Sequence, residues 1–287
     1  FYSASLEIGD VVISEQDNPT TEADWTLVQG DLTPASIKTL YESNANTNEF
    51  ADIQKTKVSY IVAEGTSNIG LGSESLASLT TGINNSALGY QALYNNTTGG
   101  NNVASGYKAL YGNTTGANNT AVGATSMAAN TSGTYNVAVG KNALGNNTTG
   151  GDNTALGPLS LWYNTTGNFN TAVGTTSLQN NTTGGGNTAF GHRASQGNTT
   201  SNFNTAYGYR TLYYNTTGSQ NVAVGARALS FNTSSNLTAV GYEALYSNTT
   251  GTANVATGYQ ALFSNTAGGG NVASGYQALY TNTTGGS

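Results

Sequence analysis

A glycine returns every seventeen residues through most of this chain. It stands at Gly72, Gly89, Gly106, Gly123 and Gly140, and the series runs on in equal steps to Gly225. A single step of 16 leads to Gly241, and steps of 17 resume to Gly258 and Gly275. Thirteen copies of a unit patterned on Asn-x-Ala-x-Gly therefore follow one another, as in Asn85-Ser86-Ala87-Leu88-Gly89. A strict short period implies stacked structural units, each too small to bury an apolar face alone.

Each copy carries two short runs of strand-like composition. The first alternates, as in Thr120-Ala121-Val122 and Val137-Ala138-Val139, and period-two alternation with β-branched residues predicts a strand. The second centres on Ala-Leu-aromatic, as in Ala109-Leu110-Tyr111, and predicts another. Asn-Thr-Thr-Gly follows, at Asn113–Gly116 and Asn164–Gly167. Asn tolerates left-handed backbone and Gly supplies positive φ, so this is read as a turn. A helical repeat is unfavourable, since Gly and Asn in every unit cost about 0.5–1 kcal/mol each relative to Ala.

The expected fold is all-β: a parallel β-solenoid or β-roll of about thirteen 17-residue coils, with a small α+β module before it. Coils spaced about 4.8 Å apart give a rod on the order of 60 Å long. Equivalent residues then stack. Asn85, Asn102 and Asn119 form an amide ladder; Leu93 and Leu110 belong to an aliphatic column that admits Met127 and is broken by Ser195. The Leu and Ala columns are expected to fill the coil. Val122, Val139, Leu156, Val173 and Phe190, each just before a repeat Gly, form a second apolar column facing the other way. Left bare it would invite aggregation, so burial against identical chains about a threefold axis is expected.

Charge divides the chain in two. Residues 1–66 hold eleven carboxylates and three lysines, a net of 3 − 11 = −8. Residues 67–287 hold three carboxylates and five cations, a net of 5 − 3 = +2. The shift near Gly65 marks a boundary. Residues 1–32 read as a strand-rich attachment module, with Tyr2–Ile8, Val11–Ile13 and Trp25–Val28 as its strands. Residues 33–66 read as a short helical connector that sets the register of a trimer, opened by Thr33-Pro34, a capping side chain with Pro at the first turn. Residues 67–287 are the repeat shaft. A nearly uncharged shaft lacks the basic stripe that nucleic-acid binding needs. No apolar run approaches the roughly 20 residues that span a bilayer, so no membrane insertion is expected. No signal peptide is visible, and Phe1 in place of Met points to a processed chain or a fragment.

Asn119–Gly123 and Asn170–Gly174 (Asn-Thr-Ala-Val-Gly) resemble the head repeat of trimeric autotransporter adhesins, which implies a left-handed parallel β-roll trimer. The longer unit, running on through Tyr-x-Ala-Leu to Asn-Thr-Thr-Gly, is similar to repeats of phage tail-fibre proteins. The segment from Ile37 to Asp52, followed by Lys55-Thr56-Lys57, resembles one common in phage fibre and collar-like proteins. Together these imply a structural fibre protein exposed on a phage virion and involved in host-cell attachment. Its partners would be sister chains, other fibre or tail proteins through the N-terminal module, and a host surface glycan or protein. A bacterial extracellular adhesin, or a surface filament polymerising end to end, is the alternative. Such phage fibres often end in a self-cleaving chaperone domain; the sequence leaves open whether one followed Ser287.

Neither an enzyme nor a cofactor is expected. Cysteine is absent, His192 is the single histidine and the shaft holds only three carboxylates, so no metal site is expected. Glycoside hydrolysis needs two carboxyl groups roughly 5–10 Å apart, yet Glu74 lies ten coils from Glu243 with Asp152 between them. Gly184–Gly186 and Gly268–Gly270 lack the Lys-Ser/Thr and helix of a phosphate loop. The candidate receptor contacts are the tyrosines that follow the repeat Gly: Tyr90, Tyr107, Tyr209, Tyr242, Tyr259 and Tyr276. Tyr joins a large ring to a polar tip, suited to glycan or protein contact; stacked ladders stabilising the rod explain the same rings. The Asn-x-Thr/Ser triplets match the N-glycosylation acceptor, and the turn also accounts for them. Gly89, Gly106, Gly123 and Gly140 are read as structural.

Overall fold

The computed structural model describes residues 11–14, 25–28 and 67–286. The chain divides into two units, Phe1–Val58 and Ser59–Ser287. In the first, β1 (Val11–Ser14) pairs antiparallel with β2 (Trp25–Val28), Val11 opposite Val28 and Ser14 opposite Trp25. The expected strand at Tyr2–Ile8 and the helical connector at 33–66 lie outside the described residues.

The second unit is a parallel β-solenoid. Thirteen three-residue strands, from β3 (Ile69–Leu71) and β4 (Ser86–Leu88) to β15 (Val272–Ser274), form one sheet in strict sequence order. Most pairings offset by 17 residues, as in Ala121 opposite Ala138. The short coil pairs β12 (Val222–Val224) with β13 (Thr238–Val240), Val222 opposite Thr238, and keeps the sheet in phase. The missing residue falls in the turn, where Asn232-Thr233-Ser234 replaces Asn-Thr-Thr-Gly.

The interior follows the expected columns. Ala87, Ala92 and Leu93 are buried in one coil and Ala104, Ala109 and Leu110 in the next. Met127 takes its Leu position without exposure, and Ser195 breaks the column as the sequence indicates. Asn85, Asn102 and Asn119 are buried and form the expected ladder: Asn102 donates from Nδ2 to Asn85 Oδ1 at 3.1 Å and to Gly116 O at 2.9 Å. The same Oδ1 also accepts the Asn102 backbone N–H, at 3.1 Å. A buried amide costs free energy unless each group is paired, and here the next coil supplies the partner.

Two readings are corrected. The Ala-Leu-aromatic run is a turn, not a strand. Gln91 and Leu93 have φ of 54° and 52°, and Lys108 and Leu110 repeat this one coil later. Ala92 N–H bonds Gly89 O at 3.3 Å and Asn96 N–H bonds Leu93 O at 3.2 Å, two tight turns in succession. Left-handed geometry costs a non-Gly residue about 1–2 kcal/mol. Burial of the Leu offsets that cost, together with its coil-to-coil bond from Leu93 N to Ala109 O, at 3.0 Å.

The second correction concerns Asn-Thr-Thr-Gly, which contains no positive φ among residues 96–99 or 113–116. Its residues serve the stack instead. Asn113 is buried in a second amide ladder. Thr97 donates its hydroxyl to Thr114 O at 3.0 Å, and the N–H groups of Thr97, Thr98 and Gly99 converge on the same carbonyl. Gly116 leaves room for the amides: a Cβ there would lie 2.8 Å from Asn130 Nδ2. The positive φ belongs to the repeat Gly, 130° at Gly89 and 142° at Gly106, where a Cβ would meet the next repeat Gly at 2.6 Å. Gly123 and Gly140 are held the same way.

Candidate contact surface

Two strips of the solenoid surface are distinctive. The first is the outer face of the sheet. In each strand the central residue points inward and its two neighbours outward, so columns led by Ile69 and Leu71 run the length of the unit. No strand from β3 to β15 contains a charged residue. Leu88, Val122, Val139 and Phe190 are exposed, while Leu156 and Val173 are half-buried. Taken as about 60 Å long and about 10 Å wide, the strip covers roughly 600 Å², with Ser and Thr interspersed among its apolar side chains.

The second strip lies beyond the repeat Gly and holds the candidate tyrosines, all of them exposed. Tyr90 stacks on Tyr107 with centroids 5.6 Å apart, and Tyr242, Tyr259 and Tyr276 stack at 5.4 and 5.2 Å. Tyr209 stacks instead on His192, at 5.9 Å. The six rings therefore fall into separate groups, because Ala124, Lys141, Pro158 and Thr175 occupy the same column between Tyr107 and His192. A parallel ladder flanks them, half-buried, with Tyr94 on Tyr111 at 5.3 Å and Phe263 between Tyr246 and Tyr280. Stacking and exposure coexist in the candidate tyrosines.

Comparison with protein-family models, curated proteins and solved structures finds no match. The site must be read from its own chemistry.

One column links the two aromatic ladders. It holds Glu74, Gln91, Lys108, Thr125 and Asn142 in the first coils and Arg193, Arg210, Arg227, Glu243, Gln260 and Gln277 in the last. These residues share a left-handed φ near 50–60°, which projects the side chains along the outer turn. Most bond their column neighbours. Gln91 Nε2 donates to Glu74 Oε2 at 2.6 Å, Thr125 bonds Asn142, and Gln277 Nε2 donates to Gln260 Oε1 at 3.0 Å. Arg227 pairs with Glu243 at 3.1 Å, and Gln260 donates to the other carboxylate oxygen at 2.9 Å. Burial works to raise the Glu243 pKa; hydrogen bonds from Gln260, Arg227 and Tyr242 outweigh it and hold the carboxyl below its ordinary value. The hydrogen bond to that carboxylate raises the Tyr242 phenol.

Summing charge over the shaft hid this column, although a 17-residue spacing of Arg193, Arg210 and Arg227 stands in the sequence. The second Asn ladder was hidden by its turn-like composition. It also bears on glycosylation: the Nδ2 of Asn113 and of Asn130 is buried and already donates two hydrogen bonds, so those amides offer no free nitrogen to a sugar.

Proposed function

We propose that this chain forms the shaft of a homotrimeric virion fibre of a phage, with its rows of exposed tyrosines turned outward for host attachment. The action is mechanical and non-catalytic. The observation that carries the reading is the uncharged sheet face, which runs unbroken through thirteen strands. Contiguous apolar surface left exposed along a fold marks a place where another surface docks. Copies of the chain in register would bury the face along its full length, adding apolar burial at every coil. The number three rests on the resemblance to trimeric β-roll heads, since the face itself requires only that copies meet there.

Attachment would follow from the strip beyond the repeat Gly. Rows of exposed Tyr repeat along one edge, and three chains would present them many times, so weak contacts would add through avidity. Electron microscopy of the purified chain tests the reading. Rods of fixed length with a three-lobed cross-section support it. Filaments of indefinite length favour an end-to-end polymer, and isolated slender single coils contradict it.

A further inference from the structure

Five cations serve the whole of residues 67–287, and three of them occupy consecutive places in one column. Arg193, Arg210 and Arg227 are fixed one coil apart, with Arg210 N–H on His192 O at 3.1 Å and Arg227 N–H on Tyr209 O at 2.9 Å. Adjacent rungs of a parallel sheet lie about 4.8 Å apart, so like charges are stacked. Arg227 is neutralised by Glu243. Arg193 and Arg210 are not: their Nε atoms are buried without a hydrogen-bond partner, and the coils that hold them, residues 191–224, contain no carboxylate. A sister chain in register would bring the same carboxylate-free coils to the same level. These coils therefore supply no counter-charge of their own, from the chain or from a sister chain in register.

Aromatic rings frame the pair. The Arg210 guanidinium lies 5.3 Å from the Tyr209 centroid and 5.2 Å from that of Tyr213, and His192 extends the platform beside Arg193. Guanidinium forks match carboxylates in a two-point geometry. Phenol rings offer an apolar face and a hydroxyl together, the surface that a sugar ring meets with its C–H face and hydroxyl rim.

We infer that Arg193 and Arg210, framed by His192, Tyr209 and Tyr213, form a binding site for a carboxylate-bearing polysaccharide. Anions that recur along a polymer can engage successive rungs, and each chain of the assembly adds a copy of the site. A nucleic acid is the poorer fit, because tight phosphate binding draws on a longer basic track. The inference deepens the attachment reading and rests on it, naming the ligand class and the coils that take it.

The test uses the full chain with oligogalacturonate, its fully methyl-esterified counterpart and a single-stranded oligonucleotide, titrated calorimetrically at low salt. Binding of oligogalacturonate should exceed that of the ester by roughly tenfold or more. Arg193→Gln with Arg210→Gln should remove the difference, while Lys108→Gln with Lys141→Gln should leave it. Circular dichroism checks that the variants keep the fold, and Arg210→Lys, which keeps charge but loses the fork, should bind with intermediate strength. Equal binding of the ester overturns the inference, as does equal or tighter binding of the oligonucleotide, or an equal loss in the lysine variant. Absence of binding by a chain that still sediments as an assembly overturns the site and leaves the fibre reading standing.

Discussion

The side-chain amide of Asn113 donates to Asn96 Oδ1, one coil earlier, at 2.8 Å, and to Gly116 O in its own turn at 2.9 Å. The relation continues through Asn130, Asn147, Asn164 and Asn181. It makes each coil the hydrogen-bond template for the next.

Replacing Asn130 by Ala should therefore weaken the solenoid well beyond an ordinary surface change. It removes the donor that reaches Asn113 Oδ1, the bond to Gly133 O and the acceptor of Asn147. Lost bonds and stranded buried groups should together cost about 2–4 kcal/mol, read as a lower midpoint in denaturant.

Gly116 and Gly151 lie in equivalent turns but should respond differently to Ala. A Cβ at Gly116 would meet Gly133 O at 2.5 Å, a backbone atom that cannot step aside. At Gly151 the nearest atom is Thr134 O at 3.1 Å. Thermal melts should show a large loss for Gly116→Ala and a small change for Gly151→Ala. Equal effects would contradict the space-filling role given to the first glycine.

Ser195 stands in the Leu column between Leu178 and Leu212, fully enclosed, and its Oγ has no hydrogen-bond partner. Next to it Thr211 replaces the usual Ala and donates to Gly225 O at 2.7 Å. Restoring the column with Ser195→Leu and Thr211→Ala should stabilise the unit by about 1–3 kcal/mol. A fall in melting temperature would mean that the coil has adapted around Ser195.

The 17-residue period, the Leu and Ala interior and the first Asn ladder were legible because each is a repeated choice of side chain. The closing turns were not. Ala109-Leu110-Tyr111 has the composition of a strand, yet Leu110 is bent to a φ of 51°; the need to return each coil over the last overrides local preference. Asn-Thr-Thr-Gly looks like a turn because its residues favour turns, and its composition conceals the Asn96–Asn113 bond. Ser201 shows how much rests on the Gly: in its place Ser201 Oγ takes the bond from Asn204 Nδ2, at 3.1 Å, that would otherwise reach Asn187. At the contact surface the six tyrosines were legible one by one, while their grouping depended on what fills the column between them.

The Glu243 contact predicts a pH dependence. A carboxyl whose pKa is lower in the folded state than in the unfolded state stabilises above its unfolded value. That contribution is lost as pH falls through the folded value. Here the direction is downward, so the melting temperatures of Glu243→Gln and the parent chain should differ at neutral pH. They should converge as the pH drops below the ordinary Glu value of about 4.3. A gap unaffected by pH would contradict the assigned contacts.

The central claim is that the uncharged sheet face is buried among sister chains. Sedimentation equilibrium of the chain, beside a variant carrying Val122→Glu and Val139→Glu, tests it most directly. Both side chains are exposed in the single chain, so the change should spare the coil and place unpaired carboxylates in the interface. The account predicts a parent particle of three 29.3-kDa chains and a variant that sediments as one chain with its β-sheet signal retained. A parent that remains a single chain at all concentrations, or a variant that assembles as the parent does, would contradict it.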